Sequence, residues 1–194
     1  MKTTNIESDA ARFEALRAEA DEHRQRHGCH AYVFEDGAGL LAAARAERPE
    51  RILELGTAIG YTACLLASAE DRAQMDTIER DPDHVALARE NLEAAGLAER
   101  VRVHHGDFFD VLADLPGPYD LAFFDGLVPS LSLIELLYER LKPNGLLICG
   151  NLCLAHGANQ RLLDAEFATA ERWHIDGHIE NGATSLIRKT NGST

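Results

Sequence analysis

Apolar positions along this chain fall into short continuous or alternating runs, separated by longer stretches in which they recur every three or four residues. Ile52-Leu53-Glu54-Leu55, Met75-Asp76-Thr77-Ile78-Glu79 and Val101-Arg102-Val103-His104-His105 have the length of strands. So do Leu121-Ala122-Phe123-Phe124 and Leu146-Leu147-Ile148-Cys149. Helical spacing over 61–69, 82–95, 108–115 and 131–141 places a helix after each of the first four. Asp81-Pro82 is a helix start, an N-cap followed by proline at the first helical position, and Gly96 is the matching stop. Lys142-Pro143-Asn144-Gly145 reads as a turn into the fifth strand. A helix over 159–171 follows, then two strands over 173–179 and 184–188. Asn181-Gly182 lies between these two and marks an antiparallel hairpin. Ahead of the first strand the pattern predicts a charged helix over 6–26 and, after a break at 28–34, a second helix over 36–47.

Strands that alternate with helices imply a mostly parallel sheet covered on both faces. The predicted fold is α/β, Rossmann-like and doubly wound, with seven strands, an antiparallel C-terminal hairpin strand and N-terminal accessory helices. One domain is expected over 1–194: a helical cap at 1–48 and a ligand-binding core at 49–190, with a frayed tail at 191–194. In such sheets ligands bind over the carboxyl ends of the strands. Glu54 with Gly56, Glu79, Asp107 and Asp125 all fall at those ends. An acid at a strand end is also an ordinary turn residue or helix cap. Four in register beside a glycine turn are harder to dismiss. That turn has the spacing Glu-x-Gly-x-x-x-Gly, which differs from the Gly-x-Gly-x-x-Gly of nicotinamide enzymes. A carboxylate in the strand end suits an ammonium or sulfonium ligand better than a pyrophosphate.

Composition narrows the partners. A formal charge of −13 on 194 residues argues against nucleic acid and anionic membranes as partners. No apolar run approaches a membrane span of ~18 residues, and the first ten residues do not form a secretory signal, so a cytoplasmic location is expected. The four cysteines contain no C-x-x-C pair and read as reduced, largely buried small hydrophobes rather than a zinc site. The thin stripe Ile6, Ala10, Phe13, Leu16 and Ala20 suits a helix that covers the body or meets another subunit.

With these elements in place, the chain resembles the class I methyltransferases that use S-adenosylmethionine (SAM), and among them the small O-methyltransferases of the catechol and caffeoyl-CoA type. The resemblance rests on LELGTAIGYTACLLA, TIERDPDHVALARENLEAAGLAERVRVHHGD, YDLAFFDG and LKPNGLLICGN, with FEDGAGLLAAA ahead of them, and covers residues 34–188. It implies SAM as cofactor, a small-molecule hydroxyl as acceptor, and a homodimer. Carried onto this sequence, Glu79 accepts from the ribose hydroxyls, Arg80 beside it being a solvated neighbour, and Asp107 accepts from the adenine amino group beneath Phe108. Gly56, Thr57, Gly60, Tyr61 and Thr62 hold the methionine end, with Glu54 near its ammonium.

The chemistry implied is displacement at the sulfonium methyl by an acceptor oxygen, and a phenol with a pKa near ~10 must first lose its proton. The family uses a divalent metal held by an Asp after the fourth strand and an Asp-Asn pair after the fifth. Here Asp125 and Asn151 match the first and last ligands, but Gly150 stands at the middle aspartate and Val128 where a lysine is common. The expectation is therefore catalysis without the metal. Asp125 and a loop histidine, His156 or else His30, are the candidate catalytic groups. The same losses keep open a catalytically decayed SAM-binding protein that acts as a partner subunit or sensor. An amino- or base-directed methyltransferase would show Asn/Asp-Pro-Pro-aromatic after the fourth strand, where this chain has Phe124-Asp125-Gly126-Leu127-Val128-Pro129.

Overall fold

A computed structural model describes residues 5–29 and 31–190. The expected frayed tail at 191–194 and the candidate His30 lie outside the described residues. The chain opens with α1 (Ile6–Ala11), α2 (Glu14–His27) and α3 (Gly37–Glu47). Strands and helices then alternate: β1 (Arg51–Leu55), α4 (Tyr61–Ala67), β2 (Gln74–Glu79), α5 (Pro82–Ala94), β3 (Val101–His105) and α6 (Phe108–Asp114). They continue with β4 (Tyr119–Phe124), α7 (Leu131–Arg140), β5 (Leu141–Cys149), α8 (Gly157–Phe167), β6 (Trp173–Ile179) and β7 (Thr184–Lys189). The seven strands form one sheet in the order β3-β2-β1-β4-β5-β7-β6. β1 to β5 are parallel, and β7 runs antiparallel between β5 and β6, as the hairpin signal predicts.

The unbroken apolar runs follow from burial on both sheet faces. Along β1, Ile52 packs with Leu40, Leu65 and Phe34 on one side, while Leu53 and Leu55 pack with Leu112, Ile134 and Leu137 on the other. In β4 the neighbours Phe123 and Phe124 divide in the same way. Helix starts carry their own caps. The Asp36 carboxylate accepts from Gly39 N–H at 2.8 Å, and Asp81 accepts from Asp83 and His84 N–H ahead of Pro82.

Two expectations are corrected. The helix predicted over 6–26 breaks at Arg12 and Phe13, because Phe13 turns into the core and is 7% exposed. Ile6, Ala10, Phe13 and Leu16 then pack on the chain's own body against α3 and its neighbours. That stripe covers the body, so it no longer supports a homodimer. The turn predicted at 142–145 is absorbed into β5: Leu141 already pairs with Tyr119, and an irregular step with Asn144 at φ 63° takes up the extra residues.

Insertion of β7 beside β5 also decides where the last turn goes. Cys149 at the end of β5 pairs with Ser185 at the start of β7. The short 3-10 turn Glu180–Gly182 therefore closes over the carboxyl rim of the parallel strands.

Candidate active site

A cavity of about 1180 Å³ opens over that rim, above the ordinary range of about 300–1,000 Å³ for small-molecule sites. Its floor is the turn from β1 into α4. Gly56 sits at φ 99°, and a β-carbon there would fall 2.7 Å from the Asp125 carbonyl oxygen, so only glycine lets the two strand ends close up. Thr57, Tyr61 and Thr62 line the cavity above it.

Glu79, at the end of β2, is preset by the backbone. Its Oε1 accepts from Arg80 N–H at 2.7 Å and Asp81 N–H at 2.9 Å, and its Oε2 accepts from Ala58 N–H at 2.9 Å. Asp107, exposed at the end of β3, caps α6 by accepting from Phe109 N–H at 3.0 Å. Phe108 stands edge-on to Phe124, with ring centres 6.3 Å apart. Glu79, Arg80, Asp107 and Phe108 all line the same side of the cavity, where the sequence expected them together.

Glu54 and Gly60 are placed differently from that expectation. Glu54 is fully buried below the glycine turn and lies behind the cavity wall. Its two oxygens accept from the Thr62 hydroxyl at 2.7 Å and the Thr77 hydroxyl at 2.5 Å. Burial pushes its pKa up to about 7, against the pull of those hydroxyls, and the charge of Glu79 raises it further. A carboxyl so enclosed supports the floor of the cavity. Gly60, at φ 96°, brings α4 onto α5, where an added β-carbon would lie 3.4 Å from the Ala88 Cα. It too lies outside the cavity walls.

The opposite side of the cavity is built from Asp125, Gly126, Asn151, Tyr32 and Glu180. Asp125 is partly exposed to the cavity, and desolvation, then the charges of Glu54 and Glu180, hold its carboxyl well above the usual range. Glu180 was read from the sequence only as a hairpin residue. It is 8% exposed and sits at φ 54°, a left-handed conformation costly for a residue with a β-carbon. Four bonds hold it there. Its Oε1 accepts from the Tyr32 hydroxyl and Glu35 N–H, both at 3.1 Å, and its Oε2 accepts from the Thr184 hydroxyl at 2.8 Å. Its own N–H donates to Asp36 at 3.2 Å. Burial and Glu180 push the Tyr32 phenol up to about 12. No local pattern marks Glu180; the only available signal was a charged residue directly before the Asn-Gly turn.

The residues present do not fit the divalent metal of the resembled family. A β-carbon at Gly150 would stand 3.6 Å from Asp125 Oδ1, so a side chain at this position would join Asp125, and glycine leaves that donor out. Asn151 spends its amide N–H₂ on the Gly126 carbonyl at 2.6 Å. One carboxyl and one amide oxygen are a poor set for a hard cation, whose affinity follows ligand charge and count. His156 starts α8, exposed and outside the cavity walls. His104 bonds Asp76 at 2.8 Å, a packing role.

A seven-stranded sheet of this order with its site over the carboxyl rim is the architecture of SAM-dependent methyltransferases. A family model described as a methyltransferase domain matches residues 53–152, just over half of the chain. The chain belongs to this methyltransferase family. Over 126 residues it is 32% identical to a catechol O-methyltransferase of Niastella koreensis, covering 62% of this chain and 57% of that protein. Over 140 residues it is 36% identical to a protein-L-isoaspartate O-methyltransferase of Bordetella petrii, covering 70% of this chain and 47% of that protein. The chain thus spans about half the length of these curated relatives. It shares its fold with the O-methyltransferase TomG of Streptomyces achromogenes, solved with SAM, at a TM-score of 0.73 and 22% identity over 90% of this chain and 89% of that one.

Proposed function

We propose that this chain is an SAM-dependent O-methyltransferase that acts on the hydroxyl of a small, largely apolar molecule without a divalent metal. The observation that carries the reading is one cavity lined by Glu79 and Asp107 on one side and by Asp125 on the other. Glu79 and Asp107 supply carboxylate oxygens for a ribose and an adenine amino group, and Phe108 covers the ring. The Gly56–Thr62 turn and the start of α4 receive the methionine end. SAM supplies an already activated methyl group on sulfur, so the protein has chiefly to align the acceptor oxygen and remove its proton.

Asp125 is the group for that proton. His156 lies outside the cavity, whereas Asp125 faces into it with a pKa raised toward that of the hydroxyl it would serve, which is the match that general-base catalysis favours. Tyr32 and Glu180 fix the wall behind it. Exposed Phe109, Leu127, Val128 and Leu154 form an apolar mouth, the basis for an apolar acceptor.

Methyl transfer to a panel of phenols, followed with and without EDTA, tests the reading. Transfer should survive EDTA and rise with pH through the Asp125 ionisation. Asp125→Asn should lower it roughly ~100-fold, the usual size of a general-base effect, while His156→Ala leaves it within about twofold. Loss of activity in EDTA that magnesium restores would overturn the metal-free reading. Tight binding of S-adenosylhomocysteine with no transfer to any acceptor would favour the decayed cofactor-binding protein, which the absence of a side chain at Gly150 and the apolar Val128 support.

A further inference from the structure

Outside the catalytic groups, α2 and the start of α5 bring three histidines and a cysteine together. His23 and His27 lie one turn apart on the same face of α2, and their rings stack with centres 4.9 Å apart. The His84 ring meets both, at 5.1 Å from His23 and 5.2 Å from His27. Gly28, at φ 68°, ends α2 and turns the chain so that Cys29 joins the group. One donor atom from each of His23, His27, Cys29 and His84 lies within 4.8 Å of the others.

His84 is only 4% exposed, and its Nε2 and that of His23 are buried with no hydrogen-bond partner among the described residues. Leaving a buried ring nitrogen without a partner is unfavourable, and one shared ligand between these rings would satisfy both. His84 Nδ1 faces Glu79 Oε2 at 3.9 Å, which leaves Nε2 directed at the cluster, the arrangement common to metal-bound histidines.

We infer that His23, His27, Cys29 and His84 form a tetrahedral site for zinc that clasps α2 to the first turn of α5 beside the proposed cofactor cavity. Three imidazoles and a thiolate are the borderline-soft donors zinc prefers, and four protein ligands make a closed, structural site. Tetrahedral zinc holds its donors about 3.3–3.8 Å apart, so small side-chain rotations close the cluster. The clasp joins elements distant in sequence. Cys29 and His84 also line the cavity, so zinc would fix the helical cap next to Glu79. The site is separate from Asp125 and Asn151 and takes no part in methyl transfer.

Calorimetry on the full chain, free of any histidine tag and stripped with chelator, should show one zinc bound per chain with sub-micromolar affinity. Zinc should raise the thermal midpoint by several degrees, and magnesium should not. Cobalt in its place should give the intense visible bands of tetrahedral coordination and a thiolate-to-cobalt charge-transfer band. Cys29→Ser should remove the charge-transfer band, and His84→Ala should weaken zinc binding at least ~100-fold. Should His84→Ala not fold, His27→Ala at the open end of the cluster gives the same readout. No stoichiometric zinc binding, a cobalt spectrum without a thiolate band, or affinity unchanged by Cys29→Ser and His27→Ala would each overturn the site.

Discussion

At the β1–β3 end of the cavity, Glu79 and Asp107 accept hydrogen bonds from backbone N–H groups at 2.7–3.0 Å. At the β4–β5 end, Asp125 is partly exposed to the cavity, and its carboxyl is held well above the usual range by desolvation and by two other carboxyl groups. The same residue type, at equivalent strand ends of one sheet, is thus set up for two kinds of work. Backbone donors hold a carboxylate aimed, which suits steady binding of hydroxyls and amines. A desolvated carboxyl among like charges binds a proton readily, which suits proton transfer. The fold supplies both settings because β1–β3 end in tight turns rich in N–H groups, while β4 and β5 end beneath the Glu180 turn.

The sharpest way to break this comparison is to remove one carboxylate from each end and measure the same ligand. Glu79→Ala should weaken S-adenosylhomocysteine binding ~100-fold or more, since hydrogen bonds to a charged group contribute about 1.5–3 kcal/mol each. Asp125→Asn should change that affinity less than about threefold. Calorimetry on the two variants decides it, and equal losses would mean that the ends do not divide the work.

Glu54 lies beneath both ends and offers a test through pH. Its folded pKa of about 7 stands above the ordinary carboxylate value near ~4.3, so the native chain retains a proton that the unfolded chain releases across this window. Stability should therefore fall as pH rises from ~4.3 to about 7 on this account, by on the order of 3 kcal/mol. Glu54→Gln should flatten that part of the profile in urea unfolding at a series of pH values. A variant with the parent slope would show that Glu54 is ionised in the folded chain.

A smaller effect sharpens the β4–β5 side alone. Tyr32→Phe deletes one of the three side-chain contacts that hold Glu180 at its left-handed φ. It should cost about 1 kcal/mol of stability and leave S-adenosylhomocysteine affinity unchanged, as seen by denaturant unfolding beside calorimetry. A drop in cofactor affinity would tie Tyr32 to the other end of the cavity.

Much of this was legible in the residue pattern, for local reasons. Strands buried on both faces are apolar nearly throughout, so β1, β4 and β5 announce themselves, while the edge strand β3 shows only the alternation of Val101 and Val103. The Asp81-Pro82 cap and the Asn181-Gly182 hairpin are fixed by the dihedral needs of a few adjacent residues. Because parallel strands end on one rim, Glu79, Asp107 and Asp125 could be grouped before any coordinates. What adjacency cannot encode came from tertiary structure. Glu54 and Glu79 are both acids at strand ends, and only packing makes Glu54 a buried prop below the floor and Glu79 an accessible acceptor. Phe13 breaks a helix that its neighbours would continue, because a core position pulls it inward. Glu180 becomes a wall of the site because β7 inserts beside β5. His23, His27, Cys29 and His84 become a cluster because α2 crosses the start of α5, a contact between segments more than fifty residues apart. Sequence sets which groups a segment can offer, and burial by distant segments sets which of them stay charged, stay accessible, or meet.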